Sequence, residues 1–110
     1  MTAFYELNPS DNDQFSFVLK AGNGEVILRS QQYDSKASAE NGIASVQENS
    51  SVEDRFERKD ATDGSSYFNL KATNHQVIGT SQMYKTVAGR DAGIESVRTN
   101  GPSAVLMTVA

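Results

Sequence analysis

The sequence predicts an α+β protein: one antiparallel sheet built from two interlocked β3–α–β repeats, with two helices packed on one face. Three observations carry this. The chain contains a gapless internal repeat. Each copy holds alternating apolar and polar runs broken by turn residues. Each copy then carries a longer run whose apolar residues recur at helical spacing. A shift of 51 positions aligns residues 17–49 with 68–100, and 16 of those 33 pairs are identical. The identities include Phe17/Phe68, Leu19/Leu70, Lys20/Lys71, Tyr33/Tyr84, Gly42/Gly93, Ile43/Ile94 and Val46/Val97. An internal repeat decides the architecture, so it precedes any reading of single elements.

The first strands are "FYEL" in copy one and "RFERK" in copy two, each followed by a polar loop, "NPSDNDQ" or "DATDGSS", rich in turn-forming Pro, Asn, Asp and Gly. The second strand alternates, with Phe15, Phe17 and Leu19 on one side and Ser16, Val18 and Lys20 on the other. Asn23-Gly24 then predicts a two-residue type I′ hairpin turn, with Asn74-His75 in its place in copy two. That turn sets a register with Val26, Leu28 and Val77 on the core face. It puts Val18, Lys20, Ile27 and Arg29 on the opposite face, joined by Tyr67, Asn69, Lys71, Ile78 and Thr80 of copy two.

Ser35 and Thr86 are expected helix N-caps, because their oxygens can accept from early helical N–H groups. The runs "KASAENGIASVQEN" and "VAGRDAGIESVRTN" are the helices, with narrow buried stripes Ala39–Ile43–Val46 and Arg90–Ile94–Val97. Gly42 and Gly93 fall mid-helix at matched positions, where Gly costs about 1 kcal/mol against Ala, so the spacing predicts close approach by a neighbour. Gly101-Pro102 stops the second helix, and "AVLMTV" (104–109) is a closing strand. The shift aligns it with "DRFERK" (54–59), so the strand after the first helix also opens copy two. The chain is one compact domain of two repeats, 1–54 and 55–110. One copy alone buries too little to be stable, so the pair is expected to be a monomer with internal pseudo-twofold symmetry.

Composition narrows function. The net charge is −4, with 14 acidic and 10 basic residues, which argues against non-specific nucleic-acid binding. The excess is uneven: residues 1–51 net −4 and residues 52–110 net zero. There is no Cys, which excludes disulfides, thiol nucleophiles and Cys-ligated metal sites within the sequence. No apolar run approaches ~18 residues, and "MTAFYELNPSDND" lacks the regions of a signal peptide, so a cytoplasmic location without membrane insertion is expected.

Candidate chemistry is sparse. His75, the single His, stands at a hairpin tip rather than among catalytic partners. "SDND" lacks the Gly and twelfth-position Glu of a calcium loop, and neither "GNG" nor "AGRDAG" follows a strand as a dinucleotide fingerprint. No catalytic residue, cofactor or metal is assigned. The one candidate binding face is the outward side of the sheet: Lys20, Arg29, Lys71, Tyr67, Ile27 and Ile78. A face carrying an aromatic and basic residues can bind single-stranded nucleic acid, although stacking platforms usually show two or three aromatics and this one shows Tyr67 alone. The competing reading is a solvated sheet face covered by lysine stems.

The stretches "FVLKAGNGEVI", "NGIASVQ", "YFNLKATNHQVIGTSQMY" and "GIESV" resemble the YegP-like family of small bacterial proteins, over nearly the whole chain and in its tandem form. The resemblance implies repeated β3–α–β units in one sheet with exchanged C-terminal strands. It brings no established activity and no catalytic motif. The preferred reading is therefore a non-enzymatic interaction or structural accessory module with an unidentified protein partner. The alternative is weak anion or single-stranded nucleic-acid binding on the outward face.

Overall fold

The computed structural model describes residues 3–108. Strands β1 (Phe4–Ser10), β2 (Gln14–Lys20) and β3 (Val26–Arg29) lead into helix α1 (Lys36–Asn49). The order then repeats as β4 (Phe56–Asp60), β5 (Ser66–Lys71), β6 (Val77–Thr80) and α2 (Val87–Asn100), and β7 (Val105–Thr108) closes the chain. All strands share one sheet in the order β4-β5-β6-β3-β2-β1-β7. The helices begin and end where the sequence places them. The Ser35 and Thr86 hydroxyls accept from Ser38 N and Gly89 N, each capping an N-terminus that would otherwise leave donors unpaired. β1 is longer than expected: Asn8, Pro9 and Ser10 pair with Ser16, Phe15 and Gln14. Pro9 is tolerated in the sheet although it lacks an N–H to donate.

The two repeats meet at β3 and β6, which pair at Arg29↔Thr80. These are equivalent positions under the 51-residue shift, so a pseudo-twofold axis passes between them. Both helices cover the same face and interlock the halves, α1 reaching β5 and β6 of the second repeat and α2 reaching β3 of the first. Between sheet and helices lie Tyr5, Phe17, Leu19, Leu28, Val46, Phe68, Leu70, Ile94 and Val97, all buried. Tyr33 stacks on Phe17 and Tyr84 on Phe68, with ring centroids 6.1 and 6.5 Å apart, contacts worth about 0.5–1.5 kcal/mol each. Each tyrosine ring also lies against a helix glycine, Tyr33 on Gly42 and Tyr84 on Gly93. These rings are the close neighbours that the mid-helix glycines foretell.

Two sequence expectations need correction. The sheet is mixed, because β7 runs parallel to β1. The cause is the duplication itself. β7 is the equivalent of the start of β4, which lies beside β5, so symmetry would seat β7 beside β2. That place is held by β1, and β7 lies outside it in the same direction.

The second correction concerns the turn. Ala21 N donates to Glu25 O and Gly24 N to Ala21 O, so the loop is three residues long. Of Asn23 and Gly24, Gly24 alone has positive φ, at 87°. This is a three-residue connection with a left-handed residue at its end, not a type I′ turn. Copy two repeats it with His75 at φ 69°. The loop's extra residue puts Val26 opposite Lys20, and a bulge between Leu19 and Lys20 restores Leu19↔Leu28. β5 and β6 show the same irregularity, with Lys71↔Val77 and Leu70↔Gly79. A one-residue register change exchanges faces. Ile27 and Ile78 are therefore buried in the core cluster, whereas Val77 is exposed.

Candidate functional site

The outward face of the sheet is the side away from both helices. Alternation brings Lys20, Arg29, Tyr67 and Lys71 to it as expected, but not Ile27 and Ile78, which are 5% and 9% exposed. It also brings two residues the sequence reading left out. Glu6 on β1 lies across from Val18, one strand away from Lys20, and its carboxylate sits 3.1 Å from the Lys20 ammonium. Glu57 on β4 makes the equivalent pair with Lys71 at 2.9 Å. Each glutamate also accepts from an asparagine amide, Asn8 on Glu6 and Asn69 on Glu57. Glu6 and Glu57 stand 51 residues apart, and that spacing was the available signal. It escaped because the pair lies outside the aligned stretch.

The hydrogen bonds to these carboxylates hold both below the ordinary glutamate range. For Glu6 the Asn8 amide is the leading cause, followed by Lys20; for Glu57 it is Lys71, followed by Asn69. The Lys20 ammonium also lies 5.9 Å from the centre of the Phe4 ring, within cation–π range. The two lysines are therefore not free cations awaiting a ligand.

Arg29 differs. It is exposed beside the pseudo-twofold axis, and no carboxylate among the described residues pairs with it. β3 and β6 pair at one position and then diverge, opening a cleft of about 210 Å³ lined by Arg29, Ser30, Gln31, Val77, Gly79, Thr80 and Ser81. The Ser30 and Ser81 hydroxyls are engaged, accepting from Phe17 N and Phe68 N and donating to the carbonyls of Gln31 and Gln82. Thr80 Oγ1 donates to Asn69 Oδ1 at 2.8 Å. Burial raises the pKa of the neighbouring Tyr33 hydroxyl, against a smaller lowering by the Gln31 side chain. The described residues contain no cluster of three or more metal-ligating side chains. Among the described residues no helix is long and apolar enough to cross a membrane.

Two β3–α–β repeats fused into one sheet, with both helices on one side and an open opposite face, define a class of small tandem-repeat α+β proteins. The chain belongs to the family described as Domain of unknown function (DUF1508), whose model matches residues 10–57 and again 61–106. It is 59% identical to UPF0339 protein YegP of Escherichia coli (strain K12) over 103 residues, 94% of each chain. It is 58% identical to a UPF0339 protein of Acinetobacter baylyi over 106 residues, 96% of each. The solution NMR structure of a UPF0339 protein from Shewanella oneidensis superposes with a TM-score of 0.92 at 56% identity, covering 98% of this chain and 92% of that one. The double family match is the internal duplication seen independently. The E. coli relative YegP, whose solution NMR structure also superposes with a TM-score of 0.92, is described as a protein of unknown function.

Proposed function

We propose that the protein is a non-enzymatic cytoplasmic interaction module that acts as a monomer and holds a protein partner against the outward face of its sheet. The observation that carries this reading is the ordering of that face. Matched Glu6–Lys20 and Glu57–Lys71 pairs flank an unpaired Arg29, a display of fixed charges of both signs that suits a protein surface. The same pairs weaken the nucleic-acid alternative. Phosphate binding draws on free cations that release counterions, and Lys20 and Lys71 already hold carboxylates. What supports a monomer is that each half supplies the other with sheet and helix contacts.

Affinity capture from the native host tests the reading, with the Tyr67→Ala/Lys59→Glu variant on the outward face and Glu48→Lys on α1 as control. One stoichiometric protein partner, lost with the first and kept with the second, is the expected result. A partner that ignores the face variant, or salt-sensitive RNA or DNA binding lost in Lys20→Glu/Lys71→Glu, would overturn it.

A further inference from the structure

We propose that the cleft between β3 and β6 is an oxyanion site anchored by Arg29, taking a carboxylate or phosphate group. Charge is the first argument. The outward face bears six charged strand side chains, Glu6, Lys20, Arg29, Glu57, Lys59 and Lys71. Four are basic and two acidic, so the face nets +2 on a chain of −4, leaving −6 elsewhere. An acidic group approaching the molecule is steered to this side and repelled by the rest. Pairing is the second argument. Lys20 and Lys71 are held at 3.1 and 2.9 Å from glutamates, so the cations of β2 and β5 that flank the centre of the sheet are occupied while Arg29 between them is not.

Shape is the third argument. Position 80, the repeat equivalent of Arg29, is Thr, so one guanidinium rather than two mutually repelling ones stands at the axis. Gly79 lines the cleft with its backbone alone, because its Cβ direction is turned toward Leu28 in the core. A guanidinium presents its donors as a planar fork that matches a carboxylate or phosphate with two parallel hydrogen bonds, which an ammonium cannot do. At about 210 Å³ the cleft admits such a group and falls short of the roughly 300–1,000 Å³ typical of sites that enclose a whole small-molecule ligand. The head group therefore enters and the rest of its carrier stays outside.

The proposal rests on the partner reading only for the source of the group, which is either a free small anion or an acidic side chain of a partner protein. The test is an NMR titration of the full chain with inorganic phosphate, sodium acetate and a capped Glu-rich hexapeptide, following the Arg29 Nε–H and the backbone amides of Ser30, Gln31 and Thr80. Saturable shifts at these positions are expected. They should weaken about tenfold in Arg29→Gln and partly in Arg29→Lys, which keeps charge without the fork, and persist in Lys36→Gln, which removes one charge elsewhere. Tighter binding of the hexapeptide than of acetate assigns the group to a partner's side chain; equal binding assigns it to free anions. Shifts that stay unsaturated, centre on Lys20 or Lys71, or survive Arg29→Gln overturn the site. Absence of saturable shifts with partner capture intact sinks this proposal and leaves the partner reading standing. Saturable oxyanion binding without a captured partner does the reverse.

Discussion

Leu28 of the first repeat fills the space that a side chain at Gly79 of the second would need: its Cδ2 lies 2.6 Å from where a Gly79 Cβ would stand. The two positions are equivalents, 51 residues apart, and they face each other near the pseudo-twofold axis. The axis is asymmetric by necessity, since two leucines would claim one volume. The same large-and-small pairing recurs at Arg29 and Thr80 and at the helix C-caps, where the Ser50 Cβ lies 2.8 Å from the Cβ position of Gly101. Gly79→Ala is therefore expected to destabilise the fold by about 1–3 kcal/mol through overpacking, and Leu28→Gly by about 3 kcal/mol or more through the cavity it leaves. The exchange Leu28→Gly/Gly79→Leu should recover a large part of both losses. Urea unfolding of the three variants measures this, and additive losses in the double variant would refute it.

The helix glycines give a second coupling. Gly→Ala in an unhindered helix interior stabilises by about 1 kcal/mol. At Gly42 the new methyl would meet the Tyr33 ring, whose Cζ lies 2.8 Å from the Cβ position, and Phe17 at 3.0 Å. Gly42→Ala is therefore expected to destabilise, and Gly93→Ala likewise against Tyr84, whose Cζ lies at 2.7 Å. Tyr33→Phe removes the nearest atom, the hydroxyl oxygen, so the Gly42→Ala/Tyr33→Phe double variant should show a favourable coupling of about 1 kcal/mol. A thermal or urea cycle with no coupling would show that the helix simply shifts outward.

Much of this architecture was readable because duplication writes each element twice. The helices, the caps at Ser35 and Thr86, and the shared strand after α1 follow from paired residues. What escaped reading is what breaks or lies outside the pairing. The parallel β7 arises from two copies competing for one place beside β2, a conflict of topology that no local pattern encodes. The burial of Ile27 and Ile78 depends on a bulge, and alternation alone cannot register an inserted residue. The neutralised lysines depend on Glu6 and Glu57, whose cross-strand reach is visible only once β1 and β4 are placed. Arg29 was grouped with Lys20 and Lys71 by charge and face, and the pairing geometry separates them.

The three-residue turns supply a prediction with an internal control. Gly24 and Gly64 occupy the left-handed position at φ 87° and 89°, and His75 occupies it at 69°. Left-handed backbone costs a residue with a Cβ roughly 1–2 kcal/mol that glycine does not bear. His75→Gly should therefore stabilise the protein by about 0.5–1 kcal/mol, part of the gain being offset by the freer unfolded chain. Gly24→Ala and Gly64→Ala should each destabilise by about 1 kcal/mol although nothing lies within 4 Å of either Cβ position. Denaturation midpoints in urea decide the matter, and a destabilised His75→Gly would mean that the imidazole makes a contact of greater worth.

The glutamates of the outward face predict the acid response. Glu6 and Glu57 titrate below their ordinary value of 4.5 in the folded protein, held down by Asn8 and Lys20 and by Lys71 and Asn69 respectively. A carboxylate with a depressed folded pKa contributes stability that is present above its unfolded value and is lost as pH falls through the folded one. Stability should therefore decline as pH drops below about 4.5, and the contribution of each pair is modest because both are solvent-accessible. Lys71→Gln removes the leading cause for Glu57 and should raise that carboxyl toward 4.5 while leaving Glu6 unchanged. Asn8→Ala should do the same for Glu6 alone. Carboxyl-carbon NMR titration of the two variants reads the glutamates separately. If Glu57 titrates identically with and without Lys71, the ion pair does not persist in solution, and Lys71 joins Arg29 as a free cation on the sheet face.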